Sequence, residues 1–190
     1  MRQIAIYFEG NPLLTEGLKE FLNIELALAR HRRVRIDLIV GGPKGPEKLC
    51  QTGQKVQPKA THFILLDYSD KPRKGAPPKN TFYWIQVMES WFLADPAAIR
   101  KALGPCVNIA KVPKWKTVES ISKPDVFKRL SSLTKICGKE KHYDDAHPPN
   151  LASKILRQLD RKEVQEKSPE CRRFLTTLDR TILKLGAETK

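Results

Sequence analysis

Three acidic positions in this 190-residue chain follow directly on runs of strand-forming residues. Glu9 follows residues 3–8 (QIAIYF), Asp67 follows residues 61–66 (THFILL) with Asp70 close behind, and Glu89 follows residues 81–87 (TFYWIQV). A sheet presents the residues that end its strands along one edge, so these carboxylates are placed to converge. Converging carboxylates repel one another unless a cation sits among them. All-oxygen ligand sets of this kind suit Mg²⁺ or Mn²⁺, which keep several waters and take their remaining ligands from phosphate. The natural chemistry is metal-assisted phosphodiester cleavage, the ion polarising the phosphate, activating water and steadying the leaving oxygen. Each acid alone also has a plainer reading as a turn former or helix cap, Asp70 above all, since it precedes Lys71-Pro72.

The acids stand in a basic chain. Thirty-five Lys and Arg face twenty-one Asp and Glu, a formal net charge of +14, of which +5 falls in residues 1–100 and +9 in residues 101–190. Such a surplus attracts polyanions, and phosphate backbones are the commonest. Two segments concentrate it: the Pro/Gly-rich residues 70–80, with Lys71, Arg73, Lys74 and Lys79, and the pair Lys114 and Lys116 around Trp115. An aromatic ring between two cations can stack on a base. Trp84, Trp91 and Phe92 lie in apolar surroundings and read as core, and His62, leading into a strand, reads as structural.

The elements that must position these groups follow from periodicity. Residues 3–8 form a strand ending in the turn Glu9-Gly10-Asn11-Pro12. Leu14, Leu18, Phe21, Leu22, Leu26 and Ala29 recur at helical spacing and predict one amphipathic helix over residues 13–30. Residues 34–40 (VRIDLIV), 61–66 and 81–87 read as further strands, with a short helix over residues 47–55. Strands alternating with helices predict βαβ units and a mostly parallel sheet, whose ligands collect outside the carboxyl ends of the strands. Residues 88–103 read as helical with a break at Asp95-Pro96, where Asp can cap a second helix that Pro opens. Beyond residue 104, residues 123–135 and 151–184 carry helical periodicity, punctuated at Ser168-Pro169. The expected organisation is an α/β core over residues 1–104 and a mostly helical, basic extension over residues 105–190 packed on it.

Cys50, Cys106, Cys137 and Cys171 form no C-x-x-C pair, which argues against a zinc site and against a secreted disulfide framework. They are read as reduced thiols. The first apolar run stops at Glu9, too short for a signal peptide, and no stretch approaches the ~18 apolar residues of a membrane span. The expectation is a cytoplasmic protein with no membrane partner.

Three strings are similar to the domain-of-unknown-function 4276 family: residues 6–10 (IYFEG), 64–70 (ILLDYSD) and, most specifically, 86–95 (QVMESWFLAD). Residues 147–178 also resemble that family's helical tail. The family is regarded as Toprim-like, which implies a Rossmannoid α/β sheet flanked by helices with a C-terminal helical extension. Toprim domains hold Mg²⁺ with a glutamate after the first strand and a pair of aspartates after a later one. By motif position the glutamate matches Glu9 and the first aspartate Asp67. The second acid would stand where Ser69 is; the available one is Asp70, and Glu89 is the candidate replacement ligand. Lys139, Lys141 and His142 match a basic loop of the family and can bind phosphate or assist proton transfer.

The resemblance implies a metal-dependent endonuclease acting on RNA, such as transfer RNA, or on DNA. It further implies an effector in an anti-phage defence system with an ATPase partner; a homodimer is a candidate assembly that the sequence itself does not decide. The alternative is a catalytically degenerate nucleic-acid-binding or regulatory subunit of an ATPase complex, which the Ser69 departure favours. A transferase or phosphatase acting on a small phosphorylated molecule lacks the Gly-rich phosphate loop such chemistry uses.

Overall fold

The computed structural model describes residues 2–41, 45–68, 80–113, 115–144 and 149–188. Four strands form one sheet: β1 (Arg2–Glu9), β2 (Val34–Gly41), β3 (Thr61–Tyr68) and β4 (Thr81–Ile85), in the order β2-β1-β3-β4, every pair parallel. The protein is thus an α/β fold with a parallel sheet flanked by helices. Strand alternation sorts the side chains between two faces. Ile4, Ile6 and Phe8 of β1 join Phe63, Leu65, Phe82 and Trp84 in the larger core, while Ala5 and Tyr7 turn to the other face and pack on Cys50. That second face is covered by α3 (Gly45–Val56).

The predicted helix over residues 13–30 is two, α1 (Leu13–Phe21) and α2 (Asn23–His31), because Leu22 leaves the helical region at φ −93°, ψ 16°. Each half serves a different neighbour. Helix α1 packs on α7 (Pro149–Leu156), so closely that a Cβ on Gly17 would come within 2.9 Å of the Ser153 carbonyl oxygen, whereas α2 lies on β2 and on α9 (Pro169–Ala187). Between them run α4 (Ser90–Ala94), α5 (Pro96–Leu103), α6 (Lys123–Thr134) and α8 (Arg161–Lys167). The break at Asp95-Pro96 is as the sequence predicts, the Asp95 carboxylate accepting from the Ala98 N–H. Asp95 also accepts from the Asp160 N–H at 2.8 Å, tying the start of α5 to the start of α8.

The larger core is continuous from β1 to α9 and includes Trp84, Trp91 and Phe92, all fully or nearly fully buried, with Phe174 of α9 edge-on to Phe63 and Phe82. His62 donates or accepts at both ring nitrogens, to the Tyr7 hydroxyl at 3.2 Å and to the Gln57 carbonyl at 3.0 Å. The second bond makes Nε2 the protonated nitrogen and leaves Nδ1 to accept from Tyr7.

The reading of four reduced cysteines needs correction. Cys106 and Cys137 form a disulfide, with Cα atoms 5.1 Å apart, while Cys50 and Cys171 are free and buried. The turn after α5 folds back on the end of α6, where the Asn108 N–H donates to the Leu133 carbonyl at 3.1 Å, and this brings the two cysteines together across 31 residues of chain. Linear spacing carries no trace of that return. A loop of this length contributes about 3 to 4 kcal/mol on a chain-entropy model.

Helical periodicity also misses Glu25, which is fully buried and ion-paired to Arg161 of α8, itself bonded to Asp179 of α9 at 3.2 Å. Burial, only partly offset by Arg161, raises the Glu25 pKa to about 7. Because the folded-state value lies above the ordinary one, the stability Glu25 contributes is complete at low pH and is lost as pH rises through about 7. Arg161→Met, which strands the carboxylate, should therefore cost about 3–5 kcal/mol near pH 8 and distinctly less near pH 5.5, in urea unfolding at each pH. An equal loss at both would show that Glu25 does not titrate in this range.

Candidate functional site

The sheet order decides where a ligand can sit. From β1 the chain winds outward to β2, then crosses back over β1 to β3 and continues to β4, so the connections leaving β1 and β3 diverge. The gap between the carboxyl ends of those two neighbours is a topological switch point, where open α/β sheets bind ligands. Glu9 ends β1 and Asp67 lies in the last turn of pleat of β3, so two of the sequence-predicted acids flank this gap.

Backbone bonds hold them there. The Asp67 N–H donates to Glu9 Oε2 at 3.3 Å, and Asp67 Oδ1 accepts from the Met88 N–H at 3.2 Å. After Glu9, Gly10 turns the chain at φ 141°, in a region open to glycine. A Cβ there would also stand 2.5 Å from Leu14 Cδ1. After β4, Gln86 takes the left-handed region at φ 69°, a conformation costly for a non-glycine residue and common at functional sites. That turn aims the Met88 N–H at Asp67 and swings Glu89 inward. Glu89 is buried, and its Oε1 accepts from the Tyr143 hydroxyl at 3.0 Å.

The electrostatics follow from this crowding. Burial first, then Glu89, then Glu9 raise the Asp67 pKa to about 7, against the opposing pull of Lys123 and the Met88 N–H. The Tyr143 phenol is pushed well above its ordinary value, by burial first and by the Glu89 carboxylate next, so it stays protonated and remains the donor in their bond. A half-buried carboxyl poised near neutrality between two further carboxylates, at the carboxyl end of a sheet, is a functional-site signature.

Glu9, Asp67 and Glu89 are thus brought into one electrostatic cluster. Among the described residues, however, no three His, Cys, Asp or Glu side chains are arranged as a ready-made ligand cage. Asp70, and the basic candidates Lys71, Arg73, Lys74, Lys79 and Lys114, lie outside the described residues. Lys139 and Lys141 are exposed on a 3-10 turn, and His142 beside them is half-buried against α6, with Ser131 Oγ at 3.3 Å and Thr134 Oγ1 at 3.4 Å. This strip leads by one residue into Tyr143, hence to Glu89. Trp115 is half-buried against the core and one face of its ring is taken by the Arg129 guanidinium, 5.1 Å from the ring centroid, leaving less of it to stack on a base than the sequence suggests. Lys116 beside it is exposed.

Three participants escape sequence reading: Gln86, Lys123 and Tyr143. The Lys123 N–H donates to Gln86 Oε1 at 3.3 Å, so the start of α6 docks on the loop that presents Glu89. Tyr143 and Lys123 lie far along the chain from Glu9 and Asp67, and only the tertiary fold joins them to the cluster.

Asp67→Asn imitates the protonated carboxyl. The folded pKa of Asp67 lies above the ordinary 3.8, so its ionisation costs stability as pH rises through about 7. The variant should equal or fall below the parent in melting temperature near pH 5.5 and exceed it near pH 8. A variant less stable than the parent at both would contradict the crowding of carboxylates described above.

No family model matches the sequence, and no curated protein matches it. Among solved structures the chain is similar to the C-terminal region of the Burkholderia pseudomallei OLD protein, at 14% identity and a TM-score of 0.46, over 96% of this chain and 99% of that one.

Proposed function

We propose that this protein is a metal-dependent phosphodiesterase, an endonuclease of Toprim type acting on nucleic acid. The observation that supports it most is Asp67, held between Glu9 and Glu89 at the switch point with a pKa of about 7. A divalent cation would relieve that repulsion, and the donor set, carboxylate oxygen throughout, suits Mg²⁺ or Mn²⁺. The lack of a three-acid cage among the described residues fits this class of ion, which is commonly held by one or two carboxylates with water and substrate phosphate completing the shell.

In this reading Asp67 and Glu9 hold the ion, with Glu89 and Asp70 in support. The bound ion would supply Lewis-acid polarisation of the phosphate and a lowered pKa for its water. Tyr143 keeps Glu89 oriented, Glu9 is the exposed acid able to take a proton from an attacking water, and Lys123 balances charge beside Asp67. Lys116, Lys139, Lys141 and His142, together with Lys71, Arg73, Lys74, Lys79 and Lys114, bind backbone phosphates, contacts that position a nucleic acid without reading its sequence. The family resemblance adds an ATPase partner and a role as an antiviral effector to the same proposal. No helix among the described residues is long and apolar enough to cross a membrane.

The second reading, a degenerate binding or regulatory subunit, draws on the same missing cage and on Ser69. The two are separated by incubating transfer RNA, single-stranded RNA and duplex DNA with the protein and Mn²⁺ or Mg²⁺, alongside Glu9→Ala and Asp67→Ala. The nuclease predicts cleavage that falls at least ~100-fold in both variants, and a rise in melting temperature with Mn²⁺ that Asp67→Ala abolishes. Binding of nucleic acid with neither cleavage nor metal-dependent stabilisation would leave the regulatory subunit.

A further inference from the structure

The two edges of the sheet are treated differently. At β4 the outward backbone groups are closed by α9: the Tyr83 N–H donates to Glu170 Oε1 at 3.1 Å, and the Thr81 carbonyl accepts from Arg173 Nη2 at 2.6 Å. At β2, the other edge, no hydrogen bond to an outward backbone group occurs among the described residues. An open edge of eight residues is a template for another strand and is usually blunted. This one is also apolar on alternate positions: Ile36, Leu38 and Val40 pack only partly against the core. A groove of about 830 Å³ runs between it and the overhanging α2, with Leu26, Ala29, Val34 and Ile36 in its floor and Arg30 and Arg33 at its rim.

The sequence of β2 is self-complementary when it is laid antiparallel on itself. With a two-fold axis through Ile36, Val34 faces Leu38 and Arg35 faces Asp37, so over residues 34–38 each charged residue meets its opposite and each apolar residue an apolar one, while Ile39 and Val40 extend past the start of the other copy's β2. We infer that the occupant of this edge is a second copy of the chain, paired β2 to β2 around Ile36 to give one eight-stranded sheet. Directly opposed unlike charges and apolar cross-strand pairs each stabilise an antiparallel pair, and an isologous contact closes on itself. The axis through Ile36 serves whether that pair is the hydrogen-bonded or the wide kind.

Arg35 and Asp37 already form an ion pair within the strand at 2.8 Å, so both are held on one face, where the second copy's pair would meet them. Arg30 and Arg33 lie towards the start of β2 and fall at opposite ends of the joint, which keeps the like charges of the two copies apart. An acidic peptide would also suit the Arg rim, but it would leave Asp37 facing a like charge. Because the paired strands run in opposite directions, the two Glu9–Asp67 sites open at opposite ends of the joined sheet, each with its own approach.

Sedimentation equilibrium tests this without reference to catalysis. The expected result is a species of twice the 21.7 kDa chain mass at tens of micromolar protein. Arg35→Asp and Asp37→Arg should each weaken dimerisation at least ~10-fold through two like-charge contacts per joint, and R35D/D37R should restore it. Where a variant folds poorly, oxidising Ile36→Cys supplies an independent reading, since only a residue on the axis meets itself and cross-links; Val34→Cys should not. A wild-type chain that stays monomeric, a double variant that fails to recover, or cross-linking at Val34 in place of Ile36 would each overturn the proposal.

Discussion

The structure depends on holding a carboxyl where other carboxyls already are. Asp67 is the penultimate residue of a strand whose earlier residues Phe63 and Leu65 are fully buried, so it cannot retreat without disturbing the core. Glu9 is fixed the same way by Ile6 and Phe8. The repulsion is borne by local devices: the Met88 N–H on Asp67, the Asp67 N–H on Glu9 and the Tyr143 hydroxyl on Glu89. Each is a charge-assisted hydrogen bond, stronger than its neutral counterpart. They make the cluster tolerable and still leave Asp67 titrating near neutrality. A protein selected for stability alone would have filled the gap with apolar side chains.

Those devices reach across the whole chain. Met88 N–H is aimed by the left-handed Gln86, and the Gln86 side chain in turn caps the start of α6. Tyr143 follows α6, its own N–H bonded to Thr134 Oγ1 at 2.8 Å. Helix α9 closes β4 through Glu170 and Arg173, and the Glu170 N–H bonds Glu119 at 2.8 Å. The later helices therefore finish the site as well as the core, and removing α9 would open the β4 edge as well as expose Phe174, Leu175 and Leu178.

How much of this was legible in the sequence depends on whether the signal was local. All four strands, the Asp95-Pro96 cap and the burial of Trp84, Trp91 and Phe92 follow from periodicity and turn chemistry, and the carboxylates after the strands follow from the rule that ligands collect at strand ends. The break at Leu22 was not legible, since no Pro or Gly marks it and its cause is that α1 and α2 face different partners. The burial of Glu25 leaves no local mark because its partner Arg161 lies far along the chain. The Cys106–Cys137 bridge, Tyr143 on Glu89 and Lys123 beside Asp67 all depend on chain returns that leave no spacing behind. Local composition thus located the acids, and only the fold identified what surrounds them.

The charge distribution ties the site to the rest of the surface. A chain of net charge +14 draws polyanions from a distance, and screening confines that pull to about a Debye length, roughly 8 Å at physiological salt. At shorter range the Glu9, Asp67 and Glu89 cluster has the opposite sign and would repel a phosphate. A divalent cation reverses that local sign, because a bound ion is the largest charge in its site. Under the proposed function, the basic surface and the acidic cluster would conflict without a divalent cation and cooperate with one, so metal occupancy would be the condition under which a nucleic acid approaches Asp67.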